Sequence, residues 1–314
     1  MSAIIEATGL TKSFKETTAV DGLNLSIEAG ELFGLVGPDG AGKTTTLRLL
    51  AGLLSVSGGK GTVAGHDLKR EAEAIKPNIG YMAQEFSLYA ELTVMENLRF
   101  FAQLYDLTAD QIAHRSSRLL EFAGLTGFKD RRAEHLSGGM KKKLALACTL
   151  IHEPAILLLD EPTTGVDPIS RREFWEILTT LNLEGATVVV STPYMDEADR
   201  CQRVGLLFEG KLVICDTPAA IRRRLPGDLV KLRPHDWRAA RRLLSGLDGV
   251  IEIQTMGESL HLIVDSAERR IPDIRSAMQQ HSLGFDELAI AEPRMEEAFI
   301  SLIRKMDAGE EEGE

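Results

Sequence analysis

The residues Gly37–Thr45, Gly-Pro-Asp-Gly-Ala-Gly-Lys-Thr-Thr, fit the spacing G-x-x-x-x-G-K-[ST] that wraps a phosphate. Glycines let backbone N–H groups close around anionic oxygens, and a helix N-terminus behind them faces the same charge. Gly37, Pro38, Asp39, Gly40, Ala41, Gly42, Lys43, Thr44 and Thr45 are therefore candidate phosphate contacts. In such a loop the lysine, here Lys43, reaches the β- and γ-phosphates, and the first hydroxyl, Thr44, holds Mg²⁺. A second chemical group stands far along the chain. The apolar run Ala155–Leu159 ends in Asp160-Glu161. Two carboxylates at the carboxyl end of a buried strand suit a magnesium contact, Asp160, and a base that polarises an attacking water, Glu161. A third group is Leu136-Ser137-Gly138-Gly139-Met140, followed by three lysines. Ser137 can cap the helix that follows, while Gly138 and Gly139 leave its N–H groups bare for an anion.

The elements around these residues must put them in place. Leu32–Val36 reads as a strand entering the phosphate loop, and Thr45–Ala51 as a helix leaving it. Ile4–Leu10 and Gly22–Glu28 read as strands. Phe14 lies between them; it can stack on adenine or serve as a core aromatic under the hairpin. Ser55–Lys60 reads as a turn, Thr62–Gly65 as a short strand, and Ile79–Gln84 as another strand ending in Gln84. From Thr93 to Phe122 the apolar spacing is helical, which predicts a helical insertion between two strands. Ala155–Glu161 and Ala186–Thr192 read as strands buried on both faces. Val204–Phe208 and Lys211–Ile214 form a hairpin pattern.

Composition bounds the rest. A length of 314 residues suggests about two domains. The net charge of −11 argues against a broad nucleic-acid surface. Cys148, Cys201 and Cys215 form no CxxC pair, which fits a reducing cytosol rather than a disulfide framework. The N-terminus lacks the pattern of a signal peptide. The longest apolar stretch, Leu144–Leu159, is interrupted by His152, Glu153 and Pro154, so a membrane role is expected to come through a partner. Near Pro226-Gly227 the character changes to a strand–helix–strand–strand–helix–strand order with a last helix from Arg294 to Lys305. The expected division is 1–225 for the phosphate-binding domain, with a helical part at about 86–150. It continues with 226–306 for a small α+β accessory domain, and 307–314 for a disordered acidic end.

Taken in order, these motifs strongly resemble the ATP-binding subunit of ABC transporters over residues 4 to about 220. Residues 226–306, ending in Glu292-Pro293-Arg294-Met295-Glu296-Glu297-Ala298-Phe299, are similar to the C-terminal extension of ABC-2 type exporters of drug-like compounds. The resemblance implies an α/β P-loop NTPase: a RecA-like core with an antiparallel β subdomain and a helical subdomain. It implies ATP and Mg²⁺ as cofactors and a head-to-tail pair of ATPase domains with ATP between them. On that pattern Phe14 stacks on adenine, and Gln84 meets Mg²⁺ and the attacking water. Ser137, Gly138 and Gly139 bind the γ-phosphate of the partner's ATP, and Asp167 lies at the seam. Asp160 supports Mg²⁺ and Glu161 is the catalytic base. The implied partners are ABC-2 type membrane permeases, with Phe86–Asn97 as the expected docking segment, so the subunit would sit on the inner face of the cell membrane.

Two positions depart from the family pattern. Met140 stands where glutamine is commonest. Pro193, in Ser191-Thr192-Pro193-Tyr194-Met195-Asp196-Glu197-Ala198, stands where the family carries a histidine that contacts the γ-phosphate. Proline has neither imidazole nor N–H. The expectation is an asymmetric pair, in which this chain's own site turns over slowly and its Ser137–Gly139 complete the site of a different ATPase domain carrying the histidine. A soluble ABC-type ATPase acting on DNA, ribosomes or cluster assembly is the other reading. The acidic charge and the lack of a long coiled-coil insertion weigh against it. A P-loop nucleotide kinase would lack Leu-Ser-Gly-Gly.

Overall fold

Burial on both faces dictates the centre of the molecule. Leu32–Val36 (β3), Ile156–Asp160 (β7) and Thr187–Thr192 (β8) are buried at every residue, as near-continuous apolar runs in a parallel sheet must be. The computed structural model describes residues 3–85 and 88–311, with side chains as far as Lys305. Its contacts divide into two units, through Thr217 and from Pro218.

In the first unit the chain begins with a hairpin, β1 (Ala3–Phe14) and β2 (Thr17–Glu28). After β3 come α1 (Lys43–Leu50), β4 (Gly58–Val63), β5 (His66–Asp67), α2 (Ala72–Ile75) and β6 (Ile79–Met82). Then follow α3 (Val94–Gln103), α4 (Ala109–Phe122), α5 (Gly138–Leu150), β7, α6 (Pro168–Leu183), β8 and α7 (Met195–Ala198), ending with β9 (Arg203–Phe208) and β10 (Lys211–Asp216). The central sheet runs β10-β9-β3-β8-β7-β6, parallel except for β10. A second sheet, β2-β1-β4-β5, is antiparallel. Leu47 and Leu50 of α1 share one core with Ile156, Leu158 and Val189 of the parallel sheet and with Ile5, Leu10 and Ile27 of the hairpin sheet. Each such fully buried side chain contributes about 1.5–3 kcal/mol. This core fixes the helix behind the phosphate loop.

Three features of this unit differ from the sequence expectation, each for a physical reason. Gly58–Lys60 continue β4 instead of turning, because they pair with Thr11 and Thr8 of β1 across a register shift. Gly59 makes this possible: at φ 74° a Cβ would lie 2.0 Å from the Gly9 carbonyl oxygen. The helical stretch from Thr93 splits into α3 and α4. Asp106 between them has φ 53°, and Thr108 starts a fresh helix. Thr93 with Glu96, and Thr108 with Gln111, each form a reciprocal capping box. Finally, α6 was not foreseen, although Asp167-Pro168 is an N-cap followed by a first-turn proline.

The second unit starts earlier than Pro226, since α8 (Pro218–Arg222) packs on α11 (Met295–Glu311). Between them lie β11 (Asp228–Pro234), α9 (Trp237–Leu244), β12 (Val250–Met256), β13 (Ser259–Val264), α10 (Ala267–Gln280) and β14 (Phe285–Ala291). The sheet order β12-β13-β11-β14, antiparallel throughout, is that of a split β-α-β-β-α-β unit. Ala240, Leu244, Ile274 and Met278 of α9 and α10 meet Val230, Leu232 and Leu262 of the sheet. Buried Glu297 ties α11 down, with His261 Nδ1 2.8 Å from one oxygen and the Arg294 N–H donating to the other at 2.8 Å. The expected acidic end begins inside α11, which extends to Glu311; good helix formers such as Ala308 and Glu310 propagate a helix once it is nucleated. Residues 312–314 lie outside the described residues. No helix among the described residues is long and apolar enough to cross a membrane.

Candidate functional site

The phosphate loop leaves β3 and enters α1 as its spacing requires. Gly42 is the N-cap residue, at φ 99°. A Cβ there would stand 2.4 Å from the Ala19 carbonyl oxygen, and one on Gly37 2.2 Å from that of Leu207. Close backbone approach thus demands both glycines, and at Gly42 the left-handed conformation demands it as well. Gly42→Ala is expected to cost at least about 1–2 kcal/mol from the left-handed backbone alone, before the clash. A lowered thermal midpoint, together with lost nucleotide binding, checks it.

Lys43 is 3 % exposed. Its ammonium donates to the carbonyls of Gly37 at 2.8 Å and Pro38 at 2.9 Å, and lies 3.2 Å from Glu161 Oε1. Thr44 Oγ1 donates to Asp160 Oδ1 at 3.0 Å. Asp160, fully buried at the end of β7, also accepts from Ser191 Oγ at 2.7 Å and from the Tyr81 hydroxyl at 3.4 Å. Burial pushes the Tyr81 phenol up; a hydrogen bond with Arg48 opposes this, and the Asp160 charge adds to it. Glu161 carries φ 45°, an unusual conformation for a non-glycine residue. It is held there by its N–H, which donates to the Ser191 hydroxyl at 3.0 Å and carbonyl at 3.1 Å. Gln84 Nε2 donates to Glu161 Oε2 at 2.9 Å, and Thr164 Oγ1 to the same oxygen at 3.3 Å. Lys142 in turn fixes the Gln84 carbonyl at 2.9 Å. Burial lowers the Lys142 pKa, against the opposing pull of Asp160 and Glu161.

These groups open into a cleft of about 570 Å³ whose walls include Asp39, Lys43, Thr44, Glu161, Pro193 and Tyr194. Gly40, Thr45 and Gln84 line it as well, and Ala41 is buried behind the loop. Its chemistry is that of an anion cradle with one cation, hydroxyls beside a buried carboxylate, and a second carboxylate able to take a proton. Phe14 closes β1 at 46 % exposure, with the Lys12 ammonium 4.9 Å from its ring centre, so it is not a core aromatic under the hairpin. It is absent from the cleft walls.

Ser137, Gly138, Gly139 and Asp167 form a separate group, none of them lining this cleft. Ser137 Oγ accepts from the Met140 N–H at 3.3 Å and caps α5. Asp167 caps α6, accepting from the N–H groups of Ser170 at 3.0 Å and Ile169 at 3.1 Å; those bonds hold its carboxyl below the ordinary range. The two helix N-termini adjoin, because a Cβ on Gly139 would meet Ser170 Oγ at 2.4 Å. Within the expected docking segment Phe86–Asn97, Phe86 and Ser87 lie outside the described residues. Buried Asn97 organises the remainder, donating to the carbonyls of Tyr89, Leu92 and Thr93 and accepting from the Tyr89 N–H at 2.9 Å.

Sequence reasoning missed Ser191, which supports both carboxylates, and Thr164 and Tyr81. A hydroxyl at the carboxyl end of an otherwise apolar strand was the available signal for Ser191.

The family profile described as "ABC transporter" matches residues 20–164. The chain is 44 % identical over 311 residues to the probable multidrug ABC transporter ATP-binding protein YbhF of Escherichia coli strain K12, covering 96 % of this chain and 52 % of that protein. It therefore spans about half the length of that relative. It is 33 % identical over 304 residues to the linearmycin resistance ATP-binding protein LnrL of Bacillus subtilis strain 168, covering 95 % of this chain and 98 % of that one. A solved dimeric, post-hydrolysis structure of the ATP-binding cassette MJ0796 with ADP and Pi superposes with a TM-score of 0.63 at 27 % identity, covering 68 % of this chain and 98 % of that one. Sequence, fold and site geometry agree: the chain belongs to the ATP-binding subunits of the ABC transporter family.

Proposed function

We propose that the chain binds Mg²⁺-ATP in the Lys43–Glu161 cleft and powers an ABC-2 type exporter by closing against a second ATPase domain. The observation that carries this reading is the separation of the two anion sites. Lys43, Thr44 and Glu161 line one cleft, with Asp160 buried against Thr44, while Ser137–Gly139 sit beside Asp167 outside it. A triphosphate shared between one chain's cleft and another's serine–glycine turn would hold both halves shut and release them after hydrolysis. Thr44 and Asp160, in contact at 3.0 Å, suit Mg²⁺, which keeps most of its waters and takes few protein ligands. Gln84 would join them and sense the attacking water. Mg²⁺ supplies charge neutralisation at the terminal phosphates; Glu161 supplies the proton acceptor. Phe14, exposed at the hairpin end, would stack on adenine.

The names of YbhF and LnrL support an exporter of drug-like molecules. Separate permease subunits would carry the spans and hold this chain on the inner face of the membrane. Pro193 lines the cleft where a γ-phosphate contact from histidine is expected. Its loss would slow this chain's own site by about two to three orders of magnitude. We accordingly assign the second ATPase domain to a different chain or segment that carries the histidine. The test is ATPase activity of the purified chain and of its assembled complex. Slow turnover alone is expected, and in the complex Ser137→Ala should damage hydrolysis more than Pro193→His improves it. Brisk turnover by the isolated chain would sink the asymmetric pair.

A further inference from the structure

Glu197 is 1 % exposed, yet no step above uses it. A carboxylate buried so deeply is costly unless its oxygens are paired, and here both are. Thr163 Oγ1 donates to Oε1 at 2.7 Å and Arg171 Nε at 2.6 Å; Thr192 Oγ1 donates to Oε2 at 2.5 Å. The donors come from three segments of the site. Thr163 follows Glu161. Arg171 stands one turn into α6, and its N–H donates at 2.9 Å to the carbonyl of Asp167, the helix cap. Thr192 immediately precedes Pro193.

Arg171 does more than neutralise Glu197. Its Nη2 reaches both oxygens of Asp196 at 2.8 Å, and its guanidinium lies 4.5 Å from the ring centre of Tyr194. The Tyr194 N–H donates to Thr192 Oγ1 at 3.1 Å, closing the network. Pro193 and Tyr194 both wall the nucleotide cleft beside Glu161 and Thr164. Pro193 has no N–H and no polar side chain, so it cannot anchor this wall on a phosphate. The wall's position is instead set from behind, by the Glu197–Arg171 clamp.

We propose that Arg171 and Glu197 are positioning residues for ATP hydrolysis, fixing the Pro193–Tyr194 wall and tying it to the Asp167 end of α6. This rests on the ATPase site proposed above. The fork of arginine is needed, because its plane spreads donors toward both acids while packing on a ring, and a lysine ammonium is a compact point charge without that plane.

The test uses the full chain, with single-turnover hydrolysis of Mg²⁺-ATP and equilibrium binding of the same nucleotide measured side by side. Arg171→Lys is expected to slow hydrolysis about ten-fold while the ATP Kd moves less than about two-fold. Tyr194→Ala should give a similar loss, and the double variant should be no slower than the worse single, since both act through one wall. A merely structural clamp would lower the thermal midpoint yet leave the rate per bound ATP at the parent value; that result overturns the proposal. So does a double variant whose losses multiply. Should Arg171→Lys fail to fold, Asp196→Asn, at a side chain 74 % exposed, removes one grip of the same arginine. It must slow hydrolysis at least about three-fold, and a parent-like rate overturns the clamp. A parent chain that binds no Mg²⁺-ATP overturns the ATPase reading as well, whereas normal binding with a clamp-independent rate overturns the clamp alone.

Discussion

Glu161→Gln is expected to lower hydrolysis by about two to three orders of magnitude relative to the parent chain, with ATP still bound. The side chain keeps its shape, and the amide oxygen can still accept from Lys43, 3.2 Å from the present Oε1. The Gln84 and Thr164 bonds converge on Oε2 at 2.9 and 3.3 Å, so with the amide oxygen facing Lys43 both of these donors meet the amide nitrogen, unless the new side chain flips. The backbone at φ 45° is held by Ser191, not by the carboxylate, and should persist. What disappears is the proton acceptor aimed into the cleft. Single-turnover hydrolysis and nucleotide binding, measured together, separate the two effects. Hydrolysis within about ten-fold of the parent would mean that another group accepts the proton.

Lys43→Ala should act one step earlier and weaken nucleotide binding itself. The ammonium carries the cleft's positive charge at the loop and is 3 % exposed, so water cannot replace it cheaply. Hydrogen bonds to a charged group are worth about 1.5–3 kcal/mol each, which corresponds to a loss of at least ten-fold to hundred-fold in ATP affinity. The variant also strips donors from the carbonyls of Gly37 and Pro38 and leaves Glu161, 5 % exposed, without its cation. Removing one partner of a buried pair destabilises the fold. Thermal melts with and without Mg²⁺-ATP check both consequences. The parent's midpoint should rise with nucleotide, by about 2.7 kcal/mol of stabilisation at a hundred times its Kd, and the variant's by no more than about 1.4 kcal/mol at the same concentration. Equal nucleotide-induced shifts would rule Lys43 out as the phosphate contact.

Local chemistry made much of this protein legible in its amino-acid order. Glycine spacing in Gly37–Gly42, a lysine at the head of a helix, acids at the end of an apolar run and the Thr93 capping box all act within a few residues, where sequence and geometry are tied by short-range sterics. The strand and helix order of the accessory unit was legible for the same reason. Its start at Pro218 was not, because packing of α8 on α11 joins residues far apart in the chain. The long-range contacts were likewise decided only by the fold. Gln84 meets Glu161, Ser191 supports Asp160, and Glu197 gathers Thr163 and Arg171 across separations of tens of residues. Such partners are chosen by which strand ends the parallel sheet brings side by side, and that choice comes from burial of whole faces rather than from any short motif. The sequence thus specified which chemistry is present; the tertiary structure decided which groups share a cleft and which, like Ser137 and Asp167, stand apart from it.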